Sequence, residues 1–382
     1  DPTGGGGGGD GLPAWLAATD FGRFLDKVAA ADEDDRTAMV DAYLAGHERF
    51  PLIEPGGIVH FVYRGEAEDV GIIGDMIGFR REDPMNRVAG TDFFHYSMRL
   101  EPDAAVSYGF IPSFERPIAD PLNPAPSVGL FGPVSFLAMP AWEPPVATPA
   151  SDGATGLVEV EWQSGAFEGP RQMAIYLPPG YETETDRRYP VAYVHGGGER
   201  IIAPILDRVV GDTVEPLIVV FVRPNPENPR ADMNDPEQYL RMFTGEAVPK
   251  VEADYRTIND RMARATMGAA EGGNGALHSA FLFPDLFGKV ASQGATLMSP
   301  SEVGDILVDS DERTYVIWHG WGTYHLRSPH EGWDMAESAR QLHQTLRDRG
   351  YRPTGGESPD GFGWSIWSAL ADDWFEALFP LH

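Results

Sequence analysis

The strongest constraint on the fold comes from apolar runs too short to be membrane spans and too continuous to be half-exposed strands. Leu217 to Val222, "LIVVFV", is such a run. A strand apolar on both sides must be covered on both faces, which is the environment of a parallel sheet packed between helices. From about Gly156 onward the same pattern repeats. "LVEVEW", "RQMAIYLP", "YPVAYVHGGG", "EPLIVVFVRP", "GKVASQGA" and "RTYVIWHGWG" read as strands, and "AESARQLHQTLRDRGY" and "ALADDWFEALFP" as helices. Strands alternating with helices predict an α/β domain over 151–382, with a mostly parallel sheet and helices on both faces.

The first 150 residues follow other rules. "DPTGGGGGGDG" has maximal backbone freedom and nothing to bury, so 1–19 reads as a glycine-rich tether. Residues 20–56 read as a helical segment, with Phe21, Leu25 and Val28, then Met39, Val40, Tyr43 and Leu44, at helical spacing. The "DEDD" run Asp32–Asp35 is placed to cap the second helix. Over 57–115 the period becomes two, which predicts a small antiparallel sandwich. In "FFHYSMRL", Phe94, Tyr96, Met98 and Leu100 form the buried face, leaving His95, Ser97 and Arg99 to a wet one. Residues 116–150 carry nine prolines from Pro117 to Pro149 and read as a linker without regular structure.

Composition narrows the partners. The chain has 382 residues, enough for two domains, and a net charge of −29 from 58 acidic and 29 basic side chains. That surface repels nucleic acid and anionic lipid. There is no cysteine, so disulfides and thiolate metal sites are excluded, and no run approaches the roughly 18 residues of a membrane span. The chain opens at Asp1 rather than Met, which reads as a trimmed N-terminus. Together these features predict an exported protein: extracellular, periplasmic or on the cell surface.

The chemistry concentrates in "ATMGAAEGGNGALHSAFLFP", Ala265–Pro284. A hydrolase's nucleophile sits on a sharp strand-to-helix turn flanked by small residues. Gly268, Gly272 and Gly273 fit such a turn, with Ala270 at the nucleophile position. Several segments in order resemble the esterase D, enterochelin esterase and antigen 85 group of α/β-hydrolases. They are "MAIYLPPGYETETDRRYPVAYVHGGG", "YLRMFTGEAVPKVEADYRT", "RATMGAAEGGNGALHSAFLFPDLFGKVASQGA", "IWHGWGTYHLRS" and "GFGWSIWSALADDWFEALFP". The region before them is similar to the N-terminal sandwich of enterochelin esterases.

The resemblance implies a serine at 270, a histidine at 362 and an acid near 325. The sequence carries Ala270, Phe362 and His325 there. A methyl group cannot form an acyl intermediate and a phenyl ring cannot take a proton. The resemblance also implies an oxyanion loop from His195, Gly196, Gly197 and Gly198 with the amide of Glu271, whose carboxylate would oppose an oxyanion unless it faced solvent. Ser279 and Ser292 lie near the turn without a base at a recognised position. His319, His325 and His330 do not have the spacing of a known metal site, so neither a metal nor a cofactor is expected. Trp318, Trp321, Trp364 and Trp367 border the site and are candidates for an apolar or glycan pocket.

These readings predict a catalytically dead homologue, a binding or assembly component with protein partners or self-assembly. Two alternatives stand beside it: an active carboxylic-ester hydrolase with a rewired site, and a carbohydrate-binding protein.

Overall fold

The computed structural model describes residues 12–78, 81–129, 132–143, 157–226, 228, 232, 235–297, 314–328 and 330–381. Most of the expected tether, including the glycine run, lies outside the described residues. The chain forms two compact units. One comprises 1–143 with the loops 323–332 and 359–366; the other comprises 144–322, 333–358 and 367–382. The α/β region is therefore not one uninterrupted domain, since two of its loops belong to the first unit.

The first unit begins with three helices, α1 (Ala14–Ala17), α2 (Asp20–Ala30) and α3 (Glu33–Ala45). The Thr19 side chain accepts from the Gly22 amide at the start of α2, and Asp32 is the N-cap residue of α3, ahead of Glu33, Asp34 and Asp35. Among the described residues before 144, the strands that follow are β1 (Leu52–Glu54), β2 (Ile58–Arg64), β3 (Val70–Gly74), β4 (Asp83–Pro84), β5 (Asn86–Arg87), β6 (Phe93–Arg99), β7 (Ala105–Pro112), β8 (Pro126–Gly129) and β9 (Gly132–Ala138). They form a four-stranded sheet, β1-β2-β6-β5, and a five-stranded sheet, β4-β3-β7-β9-β8. The proline-rich segment thus supplies two strands, contrary to its reading as a linker. β8 lies at the sheet edge, where Pro126 needs no ladder donor on its open side.

The wet face expected for β6 is not wet. Phe61, Phe94, Tyr96 and Met98 pack between the sheets, as the alternation requires. The opposite face carries Val62 and Phe93 against Phe21, Phe24, Leu25 and Val28 of α2. His95 and Ser97 share that helix-covered face and are 5% and 8% exposed. Burying one such phenylalanine stabilises by roughly 2–3 kcal/mol. The helices read at 20–46 therefore convert a one-sided sheet into a two-sided one.

The second unit holds an eight-stranded sheet in the order β10-β11-β13-β12-β14-β15-β16-β17. Its strands are β10 (Leu157–Gln163), β11 (Pro170–Tyr176), β12 (Val191–His195), β13 (Ile218–Val222), β14 (Arg264–Ala269), β15 (Lys289–Gln293), β16 (Val316–Gly322) and β17 (Thr354–Ser358). β10 pairs with β11 and β11 with β13 antiparallel at one edge, and the remaining pairs are parallel. Helices Glu199–Val209, Glu271–Leu282, Met335–Asp348 and Ala371–Leu378 connect or follow the strands. All five residues of β12 and of β13 are buried, as the "LIVVFV" run predicts. The core joins Tyr193, Val220 and Val290 of the sheet to Phe243, Phe281 and Leu342. Arg171 is buried inside this unit and donates to both Asp232 oxygens at 2.7 Å.

Candidate active site

The strand-to-helix turn at the end of β14 has the sharp geometry that the sequence predicts. Ala270 lies between β14 and the helix Glu271–Leu282 with φ 51° and ψ −124°. Side chains rarely occupy that region, and holding an alanine there costs about 1–3 kcal/mol. The surroundings enforce it. The Ala270 amide donates to the Gln293 carbonyl at 3.0 Å, and the Ala270 carbonyl accepts from the Asn274 amide at 3.2 Å. A Cβ on Gly268 would lie 2.5 Å from the Gly272 backbone, and one on Gly272 would lie 2.6 Å from the His195 carbonyl. The glycines let β14, β12 and the helix approach this closely. At the turn, the first-turn amides of the helix present partial positive charge. Glu271 is exposed, so its carboxylate faces solvent.

The glycine run beside the turn is also specialised. Gly196, Gly197 and Gly198 have φ of 83°, 80° and 94°, a succession that only glycine tolerates. The amides of Gly196 and Gly197 both donate to the Val222 carbonyl at 3.1 Å. His195 is buried, with Nδ1 2.6 Å from the Tyr239 hydroxyl and Nε2 2.7 Å from Thr266 Oγ1. Burial pulls its pKa down to about 3, so the ring stays neutral as a strut beneath the turn.

The neighbouring serines are not exposed at the turn. Ser279 is fully buried and donates to the Gly275 carbonyl at 2.6 Å. Ser292 is also fully buried and donates to the Gly273 carbonyl at 3.2 Å. Trp318 packs on Trp374 with ring centroids 5.9 Å apart, Trp321 packs against Ala336 and Ala339, and Trp367 lies against Gly294. These three indoles are buried, and Trp364 is half-buried.

The expected base and acid positions fall in the first unit, where they meet each other. The His325 and Phe362 rings stack with centroids 5.2 Å apart and an interplanar angle of 18°. His325 Nδ1 accepts from the Leu326 amide at 2.8 Å. Loop 359–362 is stitched to β7: Gly361 donates to the Ala105 carbonyl at 2.8 Å, and Ala105 donates to the Pro359 carbonyl at 3.2 Å. The Asp75 carboxylate accepts from the amides of Ser107 at 2.7 Å and of Phe362. Burial pushes this carboxyl up to about 7 against those two bonds. Gly361 is required there, because a Cβ would overlap the Asp75 carboxylate.

The histidines do not gather as one cluster. His319 pairs with His343 through Nδ1 atoms 3.4 Å apart, His325 stacks on Phe362, and His330 is exposed. Among the described residues no group of three or more histidines and carboxylates could hold a metal ion. Sequence reasoning missed His343 and Asp75. Neither lies in a motif, and only the fold brings them to their partners.

The Esterase family model matches residues 164–369, more than half of the 382-residue chain. The chain belongs to the Esterase family. An uncharacterised protein of Bacillus subtilis, YbbA, is 24% identical over 204 residues, covering 48% of this chain and 80% of the relative. The esterase Rv1288 of Mycobacterium tuberculosis is 25% identical over 215 residues, covering 53% of this chain and 46% of the relative. The chain thus matches just under half the length of that esterase. Among solved structures, the ferric enterobactin esterase of Salmonella typhimurium superposes with a TM-score of 0.66 at 18% identity, covering 88% of this chain and 98% of the other. The enterobactin esterase of Shigella flexneri, solved in the presence of enterobactin, gives a TM-score of 0.65 at 20% identity, covering 84% and 92%. These likenesses establish the α/β-hydrolase fold.

The matches overturn the expectation that this esterase-family chain is no enzyme; they point to an esterase. That expectation equates the replacement of the family's residues at Ala270, Phe362 and His325 with the loss of the reaction. Ala270 removes the acyl-enzyme route through its own side chain and leaves the turn that would support the chemistry. Among the described residues no helix is long and apolar enough to cross a membrane.

Proposed function

We propose that the chain is a carboxylic-ester hydrolase with a rewired site, its nucleophile lying outside residue 270. The observation that carries this reading is the strained turn at Ala270. A backbone held at φ 51° in a family of esterases supports continued use of the turn. Strain of this kind persists only where the surroundings over-determine it, and it clusters at functional sites. The first-turn amides supply a positive field for an oxyanion, which is commonly the largest single contribution to acyl-transfer catalysis. The named relatives with solved structures are enterobactin esterases, so enterobactin belongs among the first substrates to try beside simple aryl esters. The acidic charge and the absence of cysteine support an exported setting.

The reading is tested by incubating the full chain with enterobactin and with a series of aryl esters, following products by chromatography. Saturable, protein-dependent release of acid and alcohol is expected. Release no faster than in buffer across the whole series contradicts the reading.

A further inference from the structure

The hairpin that follows β7 breaks the usual rules for its turn. β7 ends at Pro112, and the chain doubles back until Phe110 and Ile118 exchange both backbone hydrogen bonds, at 2.9 and 2.8 Å. The Glu115 amide donates to the Pro112 carbonyl at 3.0 Å, closing a turn with Ser113 and Phe114 at its centre. Their φ angles are 50° and 59°. Two successive positive φ angles suit asparagine and glycine, and a bulky ring there is a steric outlier. The surroundings hold the turn all the same. The Ser113 amide donates to the Asp69 carbonyl at 2.9 Å, and the Ser113 hydroxyl oxygen accepts from the Glu68 amide at 3.0 Å. These bonds lace the hairpin tip to the chain that enters β3.

The strain brings no packing in return. Phe114 is 71% exposed, more than any other large apolar side chain among the described residues. A single exposed apolar residue is ordinary on a protein surface. One displayed from a strained turn is not, because such strain persists at sites that use it. Glycine or asparagine at 114 would serve both the turn and solubility better than phenylalanine. The flanking residues are mostly acidic. Glu66, Glu68 and Glu115 are exposed and Asp69 is half-buried, beside one exposed cation, Arg116. The tip thus presents an aromatic ring within a rim of negative charge, the pattern of an interface anchor.

We propose that Phe114 anchors a docking surface for a cationic amphipathic segment of a partner protein. The segment's apolar side chains cover the ring, and its Lys and Arg side chains meet Glu66, Glu68 and Glu115. Charge complementarity selects this occupant. A second copy of the chain would bring together two molecules of net charge −29, and nucleic acid or an anionic membrane would be repelled. Lysine and arginine also gain cation–π attraction from the exposed face of the ring. The surface lies in the first unit, and this inference does not depend on the hydrolase reading.

The test uses the full chain and a labelled synthetic helix with leucines on one face and lysines on the other. Fluorescence anisotropy gives its dissociation constant for wild type, F114S and the double variant E68Q/E115Q. A control peptide keeps the lysines and replaces the leucines with serines. Binding at least five-fold weaker is expected for each variant, and for the control peptide on wild type. F114S binding as tightly as wild type, or equal binding of the two peptides, overturns the docking surface by leaving only attraction to overall charge. No binding of either peptide overturns it as well. Stability gives a second readout. F114G relieves the strained φ and exposes less apolar surface, so its urea midpoint is expected above that of wild type. A lower midpoint means that packing holds the ring, and overturns the proposal.

Discussion

Replacing Ala270 with glycine measures whether the turn is held under strain. An ordinary buried Ala→Gly change removes a methyl group worth about 0.8 kcal/mol and adds about 0.7 kcal/mol of backbone entropy, a loss of about 1.5 kcal/mol. Ala270 is 9% exposed, so both contributions apply. It also sits at φ 51° and ψ −124°, where an alanine costs about 2 kcal/mol and a glycine almost nothing. Relief of that strain reverses the sign, and A270G is expected to be more stable than wild type by about 0.5 kcal/mol. The two cases differ by about 2 kcal/mol, which urea unfolding resolves. In thermal unfolding it corresponds to about 2–4 °C for each kcal/mol in a domain of this size. A loss of 1.5 kcal/mol or more refutes the argument, because the surroundings would then impose no strain on residue 270.

Three further outcomes follow from buried charge. Asp232→Ala leaves the fully buried Arg171 guanidinium without its bidentate partner and is expected to cost about 3–5 kcal/mol, read from urea midpoints; a cost below 1 kcal/mol contradicts it. Burial raises the Asp75 pKa to about 7, so the folded state holds the proton more tightly than the unfolded one. Relative to D75N, wild type should lose stability as pH rises from 4 through 7, by up to about 4 kcal/mol, and a difference independent of pH contradicts this. His60, His95 and His195 are lowered to about 4, 4 and 3, so they bind fewer protons folded than unfolded. Their contribution is fully present above about 6.5 and is lost as pH falls through 4 toward 3; replacing His95 with glutamine should flatten that loss in acid urea titrations, and an unchanged slope contradicts it.

Much of the fold is legible in the sequence because it follows from local rules. The apolar run in β13 needs cover on both faces, and the glycines around Ala270 announce a close strand-to-helix approach. What the sequence conceals is assembly at a distance. His95 and Ser97 alternate with apolar residues as an exposed face would, yet α2 and α3 lie over them. Alternation reports which residues share a face, not what covers it. The prolines before residue 150 suggested irregular chain, but Pro126 is tolerated at a sheet edge. His60 and Ser97 are 37 positions apart and meet only through the register of β2 and β6. Family spacing places the site residues at 270, 325 and 362. The loops carrying the last two belong to the first unit, where Asp75 binds one of them, and no motif encodes that carboxylate.

The most direct test is steady-state cleavage of an aryl acetate by the pure full-length chain, beside the same chain inactivated by heat. Saturation kinetics with release of one acid per alcohol, absent from the heated sample, is the predicted result. Equal rates in both samples and in buffer would mean that the strained turn serves no ester chemistry.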